Sequence, residues 1–130
     1  MPIKAKLITK GFEDYLERLA RAEKDLNAAV AEALQAGGDI LLSGMLNRVP
    51  RDTNNLADHL GIEGPFRDGN SHFIRVGVLR TADKKTALYA NYQEYGTPRM
   101  AAHPYITPTI KNDMGKARKR MAEVFEEWLK

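Results

Sequence analysis

LGIEGPFRDGNSHFIRVGVL, residues 60–79, is the stretch that decides the fold. Leu60, Ile62 and Phe66 alternate with small or polar neighbours, Phe66-Arg67-Asp68-Gly69-Asn70 reads as a turn, and His72, Ile74, Val76 and Val78 alternate on the return. Period-two alternation on both sides of a Gly/Asn turn is the pattern of an antiparallel β-hairpin. Its second face carries Phe73, Arg75, Gly77 and Leu79. That set is too mixed for full burial, so one face is expected to meet helices and the other solvent or a partner.

Helical patterns flank the hairpin on both sides. Upstream, Tyr15, Leu16 and Leu19, then Leu26, Val30, Ala33, Gly37, Ile40 and Leu41 or Gly44, keep helical spacing. One helix over residues 12–48 would be about 55 Å long, longer than a domain of this size is wide, so a break near residues 23–25 is expected in preference to a protruding helix. Gly37 and Gly38 each cost roughly 1 kcal/mol relative to Ala. Close approach by a sheet or a neighbouring subunit would account for them, and so would a flexible kink. Pro50 ends the helix, and residues 51–55 have turn chemistry. Downstream, Ile110, Met114, Ala117, Met121, Val124 or Phe125, and Trp128 follow steps of three and four. This amphipathic C-terminal helix needs a cover, either the sheet or an adjacent subunit. The expected fold class is α+β, an antiparallel β-sheet packed against a long N-terminal helix and a C-terminal helix. It forms a single domain over 1–130, with a flexible N-terminus (1–10), loop (80–87) and extended arm (98–107).

The chain has 130 residues, 43% hydrophobic and 28% charged, a net charge of +3 and no cysteine. No apolar run approaches the ~18 residues that suggest a membrane span, and the N-terminus lacks the apolar core of a secretory signal. Nothing requires an oxidising compartment or a thiolate metal site. The basic excess, with a pI near 9.2, permits contact with DNA without demanding it. Much of it sits in Lys116, Arg118, Lys119 and Arg120, read as a solvated helix face in preference to a phosphate-binding stripe.

Residues 88–110, LYANYQEYGTPRMAAHPYITPTI, mix aromatics, Glu94, Gly96 and prolines with little aliphatic core. Tyr89, Tyr92 and Tyr95 recur every third residue, which predicts three rings on one face of a short helix while Glu94 points elsewhere. Gly96 can close that helix in a left-handed conformation, and Pro98 prevents continuation. Met100 to Pro104 and Tyr105 read as an arm laid across a surface. Thr107 and Pro108 restart a helix, Thr as cap and Pro at the first helical position. Glu94 is expected to accept hydrogen bonds from backbone or from Arg99 or Arg51 across an interface.

Two motifs carry a resemblance. Tyr89-Ala90, Tyr92, Glu94-Tyr95-Gly96-Thr97, then Ala102, Pro104-Tyr105 and Pro108, together with Val49-Pro50-Arg51-Asp52-Thr53-Asn54-Asn55-Leu56 upstream, resemble the tail-completion (head-tail joining, neck) proteins of long-tailed bacteriophages and prophages. Asn54 stands where that family usually has glycine, and Ala57 and Thr107 stand where it often has arginine. Asn tolerates positive φ, so the turn geometry survives. The resemblance implies a non-enzymatic structural protein of the virion, assembled in the host bacterial cytoplasm into a six-fold ring of like copies at the tail-head junction. Each copy is a monomer in solution and its partners are tail-tube and head-completion proteins, with no specific DNA binding. The expected assembly residues are Tyr89, Tyr92, Glu94, Tyr95, Gly96, Thr97, Arg99, Pro104, Tyr105 and Pro108, with Tyr105 anchoring the arm on a neighbour and residues 80–86 ordering on assembly.

No catalytic constellation accompanies them. His59, His72 and His103 lack ligand spacing, Ser43 and Ser71 lack the sharp turn of a hydrolase nucleophile, and no glycine-rich phosphate loop is present. No metal or cofactor is expected. A small nucleic-acid-binding module or ribonuclease-like toxin is the alternative, resting on the pI and on aromatics able to stack on bases.

Overall fold

A long helix with small residues on two of its sides organises the molecule. A computed structural model describes residues 4–51 and 55–130, so Asp52, Thr53 and Asn54 of the upstream motif lie outside the described residues. The elements run β1 (Lys4–Ile8), α1 (Glu13–Arg21), α2 (Leu26–Arg48), α3 (Asn55–Asp58), β2 (Leu60–Asp68), β3 (Ser71–Val78), α4 (Lys84–Tyr95) and α5 (Ile106–Trp128). The fold is α+β, with a three-stranded antiparallel sheet of order β1-β3-β2 against α2 and α5.

The hairpin forms as the alternation predicts. Leu60 pairs Val78, Ile62 pairs Val76 and Phe66 pairs Phe73, with an irregularity between Glu63 and Phe66 where Gly64 and Pro65 interrupt the edge strand. The helix-facing side supplies Ile74, Val76 and Val78 to the core. On the open side, Lys6 and Arg75 lie over the Phe73 ring. The first departure from expectation is β1. The segment read as a flexible N-terminus pairs with β3, Ala5 opposite Val76 and Leu7 opposite Ile74, and buries both side chains. Its outward lysines gave it the look of a solvated leader, whereas they alternate with the apolar positions of an edge strand. The loop is also shorter than expected, because α4 begins at Lys84.

The predicted helix break is present. Lys24 N–H bonds to Leu19 O, Glu23 takes a φ of 57°, and Asp25 caps α2 by accepting from Ala28 N–H at 3.1 Å. Gly37 and Gly38 prove to be contact positions. A Cβ at Gly37 would lie 2.7 Å from Leu7 Cδ2, 3.0 Å from Met121 Cγ and 3.1 Å from the Ala117 carbonyl; one at Gly38 would lie 2.6 Å from Ile74 Cδ1. The first glycine admits β1 and α5, the second admits the hairpin. Because Gly37 meets Ala117 and Met121 while Gly44 meets Thr109 and Asp113, α2 and α5 run antiparallel.

The stripe on α5 is as read in its second half, where Ala117, Met121, Val124 and Phe125 are buried. In its first half it is rotated by one residue: Thr109 and Asp113 face inward, Ile110 is exposed and Met114 half-buried. Asp113 is held by Arg48, whose Nη1 reaches Asp113 Oδ2 at 2.7 Å, Thr109 Oγ1 at 3.1 Å and Gly44 O at 3.3 Å. A polar pair thus occupies a place that apolar periodicity assigns to Ile110. Phe125 stacks with Tyr15 and packs at a tilt against Phe12, so α5 is covered largely within its own chain, and the Trp128 indole N–H bonds to Glu32.

The two kinds of glycine should separate under mutation. Gly115 on exposed α5 has nothing within 4 Å of a Cβ, so Gly115→Ala should raise stability by about 0.5–1 kcal/mol. Gly37→Ala must displace Met121 or the α5 backbone and should lower it by about 1–3 kcal/mol. Urea denaturation midpoints compare them, and a gain at both positions would show that the α2–α5 contact is looser than described.

Candidate assembly interface

Helix α4 lies at the periphery and has two distinct sides. Asp83 caps it, accepting from Thr86 N–H at 3.1 Å. Thr86, Ala90, Gln93 and Glu94 are buried, whereas Leu88 is 48% exposed and Tyr92 and Tyr95 are each 39% exposed. Leu88, Tyr92 and Tyr95 stand at i, i+4 and i+7, one outward apolar stripe. Tyr89 does not join it and packs instead against the core. Steps of three fall about 60° short of a helical turn, so the expected face of three tyrosines splits and Leu88 takes the vacated place.

Glu94 is the most constrained side chain of the region. Its Oε1 accepts the amides of Tyr105 at 3.0 Å and Ile106 at 2.7 Å, and Oε2 accepts that of Thr107 at 2.9 Å. These are the unpaired donors at the start of α5, and Pro108, next in line, has no N–H to satisfy. The carboxylate also meets the positive end of the helix dipole. Burial would push this carboxyl up, but the amides of Ile106, Thr107 and Tyr105 outweigh it and hold it below the usual glutamate value. The expectation that Glu94 accepts backbone hydrogen bonds is met, but within one chain and not across an interface. Arg51 donates to Leu46 O and Arg99 is exposed, so neither reaches it.

Tyr105 is a second correction. The sequence read it as an anchor for a neighbouring subunit; it is 0% exposed, with its hydroxyl 3.4 Å from Ala90 O. Burial, and then the Glu94 charge, push its phenol well above the ordinary tyrosine value. A large aromatic beside prolines fits either a surface anchor or a core plug, and the hydrogen bond from its backbone N–H to Glu94 draws this one inward. Helix α5 accordingly starts at Ile106 without a side-chain cap from Thr107.

The arm is folded onto its own chain. Gly96 has φ 76° and ψ 179°, a region essentially restricted to glycine, and a Cβ there would lie 2.9 Å from Met100 O and Ala102 N. Thr97 N–H bonds to Met100 O at 2.8 Å, Met100 N–H returns to Thr97 O, and His103 N–H bonds to Gln93 O at 2.7 Å. Pro98, Arg99 and Pro104 remain exposed, and Pro108 is half-buried. The structure therefore brings Tyr92, Tyr95 and Leu88 to one surface, and assigns Glu94, Gly96, Thr97 and Tyr105 to holding that surface in place.

The basic residues of α5 are partly engaged. Arg118 donates to Ile8 O and Lys10 O and covers the Phe12 ring, Lys116 lies 3.7 Å from Asp113, and Arg120 lies 3.7 Å from Glu123. Among the described residues, no helix is long and apolar enough to cross a membrane.

Replacing Glu94 by Gln should expose the role of the charge. One amide oxygen cannot serve three donors, and hydrogen bonds to a charged group are worth about 1.5–3 kcal/mol, so Glu94→Gln should destabilise by roughly that much at pH 7. The native carboxyl sits below its unfolded value, so its contribution is complete above the usual glutamate range near pH 4.3 and is lost as pH falls through and below it. Unfolding free energies from pH 7 to pH 3 should therefore converge for the two proteins. A constant gap at all pH values would rule out the capping charge.

Residues 10–96, more than half of the chain, match the family model described as bacteriophage HK97-gp10, tail-component. The match runs from the lead into α1 to the glycine that closes α4, taking in α2, the hairpin and the outward tyrosines. No curated protein and no solved structure gives a significant match. The chain belongs to the HK97-gp10-like family of bacteriophage tail components, proteins of the virion.

Proposed function

We propose that this protein is a non-enzymatic virion component that completes the tail where it joins the head, as a six-fold ring of like copies in contact with tail-tube and head-completion proteins. The observation that carries the reading is the outward stripe of Leu88, Tyr92 and Tyr95 on α4, in a chain of the phage tail-component family. Exposed aromatics of this size, clustered and flanked by polar residues, are the usual anchors of protein interfaces. A ring of identical chains uses heterologous contacts, in which two different edges of each copy meet and the rotation closes. The stripe supplies one of those edges, with Arg99 beside it. Isolated copies remain monomers until the tail provides a template.

The stripe can be altered without touching the core. Leu88→Asp combined with Tyr92→Ala should change stability by no more than about 1 kcal/mol, since each is a surface change. It should lower the yield of infectious tailed particles from a complemented deletion strain by roughly two orders of magnitude or more. Normal particle yield from the double variant, or from the deletion strain itself, would refute the reading.

A further inference from the structure

Gln93, on the inner side of α4, has an unmet need. It is 5% exposed and, among the described residues, its side-chain carbonyl Oε1 has no donor. It lines a cleft of about 480 Å³ with Arg48, Pro50, Met100 and His103, a volume within the range of ligand clefts, about 300–1,000 Å³. Arg48 uses only Nη1 in its bonds to Gly44, Thr109 and Asp113, and its other guanidinium nitrogens make no hydrogen bond among the described residues. The cleft thus offers a buried acceptor, a fork of cationic donors and the apolar walls of Pro50 and Met100. A fully deprotonated anion such as sulfate or a carboxylate would suit Arg48 but leave the Gln93 carbonyl unpaired, because it brings no proton to donate. A peptide unit suits both, its N–H on Gln93 and its carbonyl on Arg48.

We propose that this cleft receives an extended main-chain segment of a second copy of this chain. The inference rests on the assembly reading above. The turn that carries Met100 and His103 leaves α4 just past Tyr95, so the cleft and the tyrosine stripe share the C-terminal end of α4, within reach of one docked copy. Recognition through main-chain hydrogen bonds asks little of the partner's sequence.

Photocrosslinking in assembled tails tests it. Benzoyl-phenylalanine replaces Met100 in one strain and Leu88 in another, and crosslinked peptides are identified by mass spectrometry. The Met100 probe should give a species of twice the 14.6 kDa chain mass that contains two copies of this chain. Gln93→Leu removes the acceptor at similar volume; the protein should melt no lower than before, while the Met100 crosslink falls about three- to tenfold and the Leu88 crosslink persists. Should the branched side chain not be accommodated, Gln93→Met removes the same acceptor. A Met100 crosslink to a different protein, or one indifferent to loss of the Gln93 carbonyl, overturns the inference. Copy-to-copy crosslinks from Leu88 alone would overturn the cleft while leaving the assembly face standing, and none from either probe would overturn both.

Discussion

The first turn of α5 presents amides that its own sequence does not cap, and a single carboxylate from another helix takes them. Glu94 is separated from its partners by 11 to 13 residues, and that distance defines the corner: everything between is a closed loop pinned at both ends. The amides hold the charge in its ionised form, the charge fixes the start of α5, and Tyr105 is carried into the core by the hydrogen bond its backbone N–H donates to Glu94. Buried carboxylates are costly unless fully hydrogen-bonded, so the corner has one arrangement in which its parts are satisfied together.

The other organising contact is the seam between α2 and α5. Small residues on α2 let the helices approach, with Gly37 under Met121 and Gly44 under Asp113. At the far end of α2 the Arg48 guanidinium joins Asp113 and Thr109; at the near end Glu32 joins the Trp128 indole. Apolar packing along a stripe tolerates sliding, whereas these polar pairs are satisfied in one register only. Since Thr109 also donates to Tyr105 O at 2.6 Å, the seam and the corner share a residue, and the position of α4 follows from that of α5.

What the sequence made legible was periodic. The hairpin and the second half of the α5 stripe each repeat a spacing that burial imposes, the break before α2 follows from the length a single helix would need, and each appears where expected. What it hid was the product of pairings between elements. The Glu94 cap links the end of one helix to the start of another and leaves no repeat to detect. Asp113 occupies a core-facing position, and apolar periodicity passes over it in favour of Ile110. The expected tyrosine face failed for a geometric reason, since a step of three drifts around a helix, and the step of four to Leu88 was the one that mattered. The cap did leave a trace in hindsight: Pro108 marks a helix start, and the Thr107 read as its cap lies inside α5, which leaves the first amides to a residue from elsewhere.

The support beneath α4 governs what the helix offers to an assembly partner. The sequence reading had the segment before α4 ordering only on contact with a neighbour. Instead Arg80 N–H bonds to Glu63 Oε2 at 2.8 Å, Ala82 N–H bonds to Leu79 O, and Asp83 caps the helix within the single chain. With its start capped by Asp83, its end closed by Gly96 and its inner side fixed through Glu94, the helix offers Leu88, Tyr92 and Tyr95 on a rigid support. A partner that meets a preformed face does not have to order it, and that entropy is among the larger costs of association. The same rigidity makes the face sensitive to its support: a change at Glu94 or Gly96 would tilt the stripe without altering any residue in it. Lesions in assembly would then map to buried positions of the corner as well as to the exposed side chains it carries.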